Sequence, residues 1–542
     1  MLFNSIEYLI FLPIVLCFYW ISHHKIQNRL LLVASYIFYG LWDIRFLFLI
    51  ILSTSIDYMM GILIDKNQLS KIQFLKSTGY IFFSAIVCLL ISWPPPSELF
   101  LSNQDYLNRL SINDNNFDII LALFTTWILS TYFIINFLHR FSQENRKKIY
   151  VGISIFANLL ILGFFKYYNF FIDNAENVIT YLGGNPQLFH LNIILPVGIS
   201  FYTFQTMSYS LDVYRGKIKS TKHFLDFALF VAYFPQLVAG PIERASNLLP
   251  RILNKRKVNY EQIFRGIFLI FWGFFKKIAI ADGVAGSVNS VYNTTGVVSS
   301  LDVVLATMLF AIQIYCDFSA YSDIARGTSK LLGIELMRNF NLPYFSTNPS
   351  EFWRRWHISL SSWLRDYLYI PLGGNKKGNI ITYRNLGITM LLGGLWHGAA
   401  WNYILWGAYQ GAILSIHRYF THKKEEYQSS NINLILKIIF FFIITCYGWL
   451  LFRANSFTQI TEFTYLLFNW NDLSINIKRP TLAAILALPM LIAYEFFEYK
   501  TKNIKFYCEL LNPLVSTAVA LAILFIAMGL SNKPSQFIYF QF

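Results

Sequence analysis

The sequence LLGGLWHGAAWNYILWG occupies residues 391–407, and a single histidine, His397, lies within it. Apolar, aromatic and small residues surround this histidine, and no Asp or Glu occurs between Asp366 and Glu425. A run of this kind is apolar enough for a membrane interior, where ionisable side chains are costly and usually mark a pathway or a site. The stretch therefore predicts a membrane-embedded fold and a candidate functional residue. A histidine that only packs between helices would explain it as well.

The composition of the whole chain agrees with a membrane protein. Of the 542 residues, 55% are hydrophobic and 13% are charged, against about 45–50% and 25% in soluble domains. The formal charge is +15, but Lys and Arg form short clusters between apolar runs rather than one basic face. This pattern is typical of membrane topology signals and does not favour a nucleic-acid partner. The five cysteines have no metal-ligand spacing and are expected to be small buried hydrophobes.

Apolar windows predict about ten to twelve transmembrane helices, because one span needs about 20 apolar residues. The windows lie near 5–22, 30–42, 46–64, 78–93, 117–138, 149–165, 261–281, 301–316, 384–416, 434–452, 480–497 and 512–530. The window 384–416 is longer than one span and contains six glycines, so it predicts two shorter helices or a broken one. No internal repeat occurs. The sequence thus predicts one all-α membrane domain over 1–542, with its most characteristic part at 191–416.

Charge asymmetry predicts the orientation of the spans. Residues 8–21 resemble the apolar part of a signal peptide, but no Lys or Arg precedes them and no cleavage site follows, so we interpret them as a retained first span. Lys25 and Arg29 come after this span, which predicts an extracytoplasmic N-terminus. The acidic stretch 97–116 is placed outside as well. The stretches rich in Lys and Arg are placed in the cytoplasm: 139–148, 244–257 and 338–384.

Two long regions fit neither a simple span nor a simple loop. Residues 191–250 are apolar but interrupted by Pro and Gly, and residues 317–377 mix Trp, Tyr, Arg and Asp. Non-helical backbone at membrane depth occurs only where protein or water covers it. Both regions therefore predict re-entrant or interfacial elements that line an interior cavity.

A second histidine, His357, lies in the segment EFWRRWHISLSSWLRDYLYIPLGGN (351–375). As a helix, the segment would place apolar residues and this histidine on one face: Trp353, Trp356, His357, Leu360 and Leu364. An interfacial amphipathic helix explains that pattern without any chemistry. In the functional alternative, Arg354 and Arg355 attract an anionic, phosphate-bearing donor at the cytoplasmic mouth, and His357 faces inward as a second site residue.

The chemistry that suits His397 is proton removal from a hydroxyl group. Desolvation keeps an imidazole neutral, and a neutral imidazole is a competent general base. Candidate oxyanion donors nearby in sequence are Asn402, Trp396 and Trp401. Asp317 and Asp323 are expected to cap a helix or to pair with Arg326. No HExxH, GxSxG or P-loop motif occurs, and no metal site is predicted.

Several long blocks resemble the membrane-bound O-acyltransferase family, within it the alginate O-acetylase branch, and they are also similar to peptidoglycan O-acetyltransferases. The blocks are LPVGISFYTFQTMSYSLDVYRG (195–216), YFPQLVAGPIER (233–244), YCDFSAYSDIARG (315–327), the block 331–375 that contains His357, and GGLWHGAAWNYILWG (393–407). The opening LFNSIEYLIFLPI (2–14) and the ending FIYFQF (537–542) also fit the branch. The resemblance covers nearly the whole chain in the family's order.

The resemblance implies a bundle of spans around a central funnel, with His397 as the catalytic residue and His357 at a second, more variable polar position. It implies a cytoplasmic acyl thioester, most simply acetyl-CoA, as donor and no permanently bound cofactor. The acceptor would be an extracytoplasmic polysaccharide such as alginate or peptidoglycan, reached through an SGNH-type partner protein. The location would be the bacterial inner membrane, in contact with its lipids.

Three alternatives remain open at this stage. Transfer of D-alanine to teichoic acid is the nearest other reaction within the family. A proton-coupled transporter would use His397 for proton coupling, although no repeated halves of the kind seen in many transporters occur. A catalytically silent scaffold for a surface assembly is the third alternative. The sequence does not decide between alginate and peptidoglycan as the acceptor.

Overall fold

The computed structural model describes residues 1–92, 111–112, 115–237, 240–421, 431–501, 513–530, 535 and 537–538. Over these residues the regular structure is helical, apart from two short antiparallel strands, β1 (Ile91–Ser92) and β2 (Ser111–Ile112). This confirms the predicted all-α class. The chain forms two compact units: the first is Met1–Val258 with Ser329–Leu336, and the second is Asn259–Thr328 with Met337–Phe542.

The first unit contains eleven helices over the part of the chain that the structure describes. They are α1 (Ile6–Ile21), α2 (His24–Gly40), α3 (Arg45–Lys66), α4 (Lys71–Ala85), α5 (Asn115–Leu138), α6 (Gln143–Leu162), α7 (Tyr168–Tyr181), α8 (Ile199–Tyr214), α9 (Phe224–Ala232), α10 (Phe234–Leu237) and α11 (Ala245–Leu253). Short π-helical turns follow α4 and join α6 to α7, at Ile86–Leu90 and Gly163–Tyr167. Most of the stretch 97–116 lies outside the described residues.

The second unit is built around the remaining helices. They are α12 (Tyr260–Phe274), α13 (Asp282–Tyr292), α14 (Ser300–Leu331), α15 (Pro349–Arg355), α16 (Ile358–Leu364), α17 (Asn379–His397), α18 (Trp401–Thr421), α19 (Asn431–Arg453), α20 (Phe457–Phe468), α21 (Leu482–Thr501) and α22 (Pro513–Gly529). A 3-10 turn covers Pro343–Phe345, and π-helical turns cover Phe275–Ala281 and Arg365–Tyr369.

Seven helical segments among the described residues are long and apolar enough to cross a membrane. They are Arg45–Lys66, Lys71–Leu90, Asn116–Leu138, Gln143–Tyr181, Ser300–Leu331, Ile432–Arg453 and Leu482–Thr501. Three shorter apolar helical segments, Ile6–Ile21, Phe224–Leu237 and Val515–Gly529, add to them. The protein is therefore a multi-pass membrane protein. The sequence predicts two shorter helices or one broken helix in the window 384–416. The structure has two helices there, α17 and α18.

A buried carboxyl group explains why the apolar helices α3, α6 and α8 carry polar residues. Asp57 of α3 is fully buried. It accepts hydrogen bonds from the Ser154 hydroxyl, from the Asn158 amide at 2.8 Å and from the Ser210 hydroxyl at 3.1 Å. A buried charge or dipole without such donors would cost several kcal/mol. The cluster fixes the register of these three helices in the first unit.

The region 191–250 is more regular than its prolines and glycines predict. It forms α8, α9, α10 and α11, and 14 of the 16 residues of α8 are buried. Its breaks lie at Gly198, whose φ is 75°, and at Tyr233, before Pro235. Protein rather than lipid surrounds these helices, as broken apolar segments require. The re-entrant path itself stays a prediction.

Close contact between α17 and α18 depends on glycine. A Cβ atom at Gly394 or Gly407 would overlap the backbone of the facing helix, at the carbonyl oxygens of Tyr403 and Met390 respectively. A Cβ atom at Gly398 would overlap the Tyr403 ring. Small residues are the usual means by which membrane helices approach so closely. These glycines thus set the position of the residues at the end of α17.

We expect Gly407→Ala to destabilise the protein by about 1–3 kcal/mol or more, because the facing backbone cannot move aside as a side chain would. Gly387→Ala is the matched control in α17, since nothing lies within 4 Å of a Cβ atom built there. Thermal unfolding of the purified variants measures the difference. Equal unfolding midpoints for the two variants would contradict this account of the helix pair.

Candidate active site

His397 is the last residue of α17, and only 4% of its surface is exposed. The chain leaves the helix at Gly398, and α18 begins at Trp401. Aromatic rings enclose the imidazole: the Trp406 ring centroid lies 5.1 Å away at 89°, and that of Phe452 lies 5.4 Å away. Such walls exclude water and strengthen the polar interactions made inside them.

His357 lies at a break between two short helices. Arg355 ends α15, Ile358 begins α16, and the His357 backbone between them is left-handed, with φ 42° and ψ 53°. This conformation costs a non-glycine residue about 1–3 kcal/mol and persists only where the surroundings fix it. Here the Ile358 N–H donates to the Asn339 carbonyl oxygen at 2.9 Å. Of the two interpretations of this segment, the single amphipathic interfacial helix is wrong, because His357 interrupts the helix and is completely buried.

The side chain of Asn339 determines the tautomer of His357. Its Oδ1 atom accepts the Ser359 backbone N–H at 3.2 Å, and since a backbone N–H only donates, this atom is the amide oxygen. His357 Nδ1 lies 3.2 Å from the same oxygen. Nδ1 therefore carries the hydrogen, and Nε2 carries the lone pair. Burial lowers the pKa of His357 to about 3, so the imidazole is neutral at physiological pH.

The structure brings the two predicted histidines together. The ring centroids of His357 and His397 are 6.4 Å apart, with 60° between the ring planes. The Trp396 ring lies beside both, at 6.0 Å from His357 and 5.1 Å from His397. At this separation one hydroxyl oxygen can lie within hydrogen-bond distance of a nitrogen on each ring. The pair is thus suited to bind and deprotonate a hydroxyl group.

The end of the chain contributes to the wall behind His357. The Phe318 ring packs edge-on against this histidine, with 4.7 Å between centroids. Phe537, which is fully buried, packs against Phe318 at 6.1 Å. Phe537 belongs to the FIYFQF ending. Phe537 therefore has a structural role close to the site.

Arg354 and Arg355, the predicted donor-binding residues, line one open pocket of about 410 Å³, together with Asn341, Asn348 and Glu351. Arg355 is half-buried and forms an ion pair with Glu351 at 2.8 Å. Arg354 is exposed, and its Nε atom donates to a backbone carbonyl oxygen of its own helix. The pocket thus presents one exposed guanidinium group and one that is already neutralised. Donor binding here stays a prediction.

The suggested oxyanion donors are placed differently from the sequence-based expectation. The Asn402 amide donates to the carbonyl oxygens of Phe452 and Ala454, at 3.2 and 3.1 Å, and so caps the end of α19. The Trp401 side chain is exposed, with 61% of its surface accessible. The buried Trp406 indole N–H makes no hydrogen bond with any residue that the structure describes. Trp406 replaces Asn402 and Trp401 as a candidate donor.

The two aspartates of α14 lie in ion pairs. Asp323 pairs with Arg326 at 3.3 Å, which confirms the predicted pairing, and with Lys276 at 2.7 Å. Asp317 pairs with the buried Lys277 at 2.8 Å. Neither caps a helix, because α14 continues past both of them to Leu331. Their role in the described structure is to neutralise buried lysines.

MBOAT, the membrane-bound O-acyltransferase family, matches residues 217–461. A probable alginate O-acetylase of Pseudomonas putida is 33% identical over the full length of both chains. A peptidoglycan O-acetyltransferase of Helicobacter pylori is 36% identical over 62% of this chain and 68% of its own. A teichoic acid D-alanyltransferase of Bacillus subtilis is 29% identical over 62% of this chain and 86% of its own.

The class defined by fold and site is therefore that of membrane-embedded acyl-transfer enzymes. The chain belongs to the membrane-bound O-acyltransferase family. It is an O-acyltransferase, and the predicted family is confirmed. The transporter and scaffold alternatives lose their basis, because the chain is an O-acyltransferase.

Proposed function

We propose that the protein transfers an acetyl group from acetyl-CoA, bound on the cytoplasmic side, toward hydroxyl groups of an extracytoplasmic polysaccharide such as alginate or peptidoglycan. The observation that carries the proposal is the buried pair of His357 and His397, 6.4 Å apart. The full-length similarity to an alginate O-acetylase supports the choice of acyl group and acceptor. An SGNH-type partner protein completes delivery to the polymer.

His397 acts as the general base in this proposal. It takes the proton from the acceptor hydroxyl as the oxygen attacks the thioester carbonyl carbon. The new C–O bond forms, the C–S bond breaks, and the proton on His397 passes to the departing thiolate, so atoms and charge balance. The Nε2 lone pair of His357 accepts a hydrogen bond from a second hydroxyl group of the acceptor. The Trp406 indole N–H is available to the oxyanion that develops on the carbonyl oxygen.

The distribution of Lys and Arg predicts which segments of the chain face the cytoplasm. The clusters of Lys and Arg in 139–148, 244–257 and 338–384 favour the cytoplasm, and the acidic stretch 97–116 favours the outside. Arg354 and Arg355 belong to the basic region, which suits the phosphates of coenzyme A. The protein would then reside in the bacterial inner membrane with its N-terminus outside. No cofactor needs to be bound permanently for this chemistry.

Removal of the protein from a cell that makes an acetylated surface polymer tests the proposal. We expect one polymer to lose its base-labile acetate, and expression of the wild-type chain to restore it. His397→Ala should fail to restore it, whereas His139→Ala, which changes an exposed histidine of the first unit, should succeed. Unchanged acetate in every surface polymer after removal would contradict the proposal.

Transfer of D-alanine to teichoic acid is the second candidate, favoured by the similarity to the Bacillus subtilis D-alanyltransferase. Its donor would be an aminoacyl thioester on a carrier protein. The same cells distinguish the two reactions, because mild base releases D-alanine in one case and acetate in the other. Loss of esterified D-alanine with normal acetate would establish the second candidate.

A further inference from the structure

The second unit contains a charged cavity that the proposed reaction does not use. Its volume is about 80 Å³, several times the roughly 10–15 Å³ that admits one water molecule. Four basic side chains line it: Arg265, Lys276, Arg326 and Arg338. Three acidic side chains face them: Asp323, Glu495 and Glu498. Positive charges thus exceed negative charges by one.

Ion pairs inside the cavity engage three of the four basic groups, two of which share the Asp323 carboxylate. The pairs are Lys276 with Asp323 at 2.7 Å, Arg326 with Asp323 at 3.3 Å, and Arg338 with Glu498 at 3.0 Å. Arg265 has no ion pair with any residue in the described ranges, and it is half-buried. A guanidinium group in such a place attracts an anion, above all a phosphate, which it can bind with two parallel hydrogen bonds.

An apolar groove adjoins this cavity. It has a volume of about 30 Å³ and is lined by residues of α12, α21 and α22, among them Phe268, Met490 and Val519. The groove and the cavity share Trp272 and Tyr494, whose ring centroids are 4.4 Å apart. Trp and Tyr are the side chains that most often lie where the apolar and polar layers of a membrane meet. The charged cavity and the apolar groove therefore meet at the rings of Trp272 and Tyr494.

We propose that the charged cavity and the apolar groove together form a binding site for one anionic phospholipid. The lipid phosphate lies beside Arg265, and the first part of one acyl chain lies in the groove between α12, α21 and α22. Basic pockets between membrane helices bind anionic headgroups in this way. A free anion would make no contact with the apolar groove. A lipid without net charge would gain little binding energy from Arg265. The proposal is independent of the acyl-transfer reaction.

Lipid binding is measured on the full-length protein purified in detergent, by native mass spectrometry and by thermal unfolding. We expect phosphatidylglycerol to be retained and to raise the unfolding midpoint, and phosphatidylcholine with the same acyl chains to do neither. Arg265→Gln should weaken retention of phosphatidylglycerol at least about tenfold, because glutamine has no charge and cannot replace the two charge-assisted hydrogen bonds. Lys500→Gln is the matched control, because Lys500 is an exposed base on α21 that does not line the cavity.

A second variant tests the groove separately. Ala518→Phe fills the groove without changing any charge, and we expect it to weaken phosphatidylglycerol retention as well. Equal retention of the two lipids, or unchanged retention by Arg265→Gln, would overturn the proposal. A rise in the midpoint with inorganic phosphate or acetyl-CoA alone, equal to that with phosphatidylglycerol, would also overturn it. The cavity would then bind a soluble anion.

Discussion

Replacement of His397 with alanine should reduce acyl transfer by about 10²–10⁴-fold, the usual contribution of a general base. The residue is buried among Trp396, Trp406 and Phe452, and none of these three side chains can accept a proton in its place. The acceptor hydroxyl would then have to attack the thioester without losing its proton. If Arg354 and Arg355 bind the donor as proposed, donor binding should remain, because His397 does not line their pocket.

The rate of thiol release from acetyl-CoA by membranes that contain equal amounts of each variant measures this effect. His139→Ala, at an exposed position, should keep the wild-type rate, and His397→Gln should be as slow as His397→Ala if proton transfer is the missing step. A His397→Ala protein that unfolds at the wild-type temperature and still releases thiol at the wild-type rate would contradict the assigned role.

Replacement of Asn339 with leucine should reduce transfer by about 10–100-fold, the second largest effect that we expect. Three donors converge on the Asn339 side-chain oxygen, from His357 Nδ1, the Ser359 backbone N–H and the Ser359 hydroxyl, at 3.2, 3.2 and 2.9 Å. Leucine leaves these buried donors without an acceptor, at a cost of about 1–3 kcal/mol each. It also removes the group that keeps the His357 lone pair on Nε2.

Asn339→Asp separates this positioning role from simple loss of packing. The aspartate keeps the acceptor, so activity at neutral or higher pH should recover. Its negative charge should raise the pKa of His357 above the present value of about 3. Protonation of His357 removes its Nε2 lone pair, so the activity of this variant should fall on the acid side at a higher pH than that of the wild type.

Asn385→Leu, which changes a buried asparagine hydrogen-bonded to Gly374, is the control for destabilisation alone. If Asn339→Asp and the wild type lose activity at the same acidic pH, the role given to Asn339 is contradicted.

Properties that depend on local sequence could be predicted well. Long apolar runs identify most of the spans, and a lone histidine among Trp and Gly residues identifies His397 because burial of an ionisable group is costly. The glycines at 394, 398 and 407 indicate close helix contact for the same local reason. The reaction class came from the resemblance of long sequence blocks rather than from any one residue.

Properties that depend on distant contacts could not be predicted. The left-handed backbone of His357 is held by Asn339, 18 residues earlier in the chain, whereas the local spacing of apolar residues favours an uninterrupted helix. The aromatic wall from Phe452 and Phe537 comes from helices and a chain end that no spacing rule connects with His397. The sequence favours Asn402 and Trp401 as oxyanion donors only because they are near His397 in the chain. The fold directs their side chains elsewhere.

The most direct test of the central claim uses sealed inside-out membrane vesicles that contain the protein with its natural partners and polymer. Acetyl-CoA labelled in the acetyl group is added outside, where the cytoplasmic face is exposed, and base-labile label is then measured in the polymer inside. We predict that the wild-type protein transfers the label, with one thiol released per ester formed, and that His397→Gln at the same protein level is at least about 100-fold slower. Transfer at the wild-type rate by His397→Gln, or no transfer by the wild-type protein, would contradict the account.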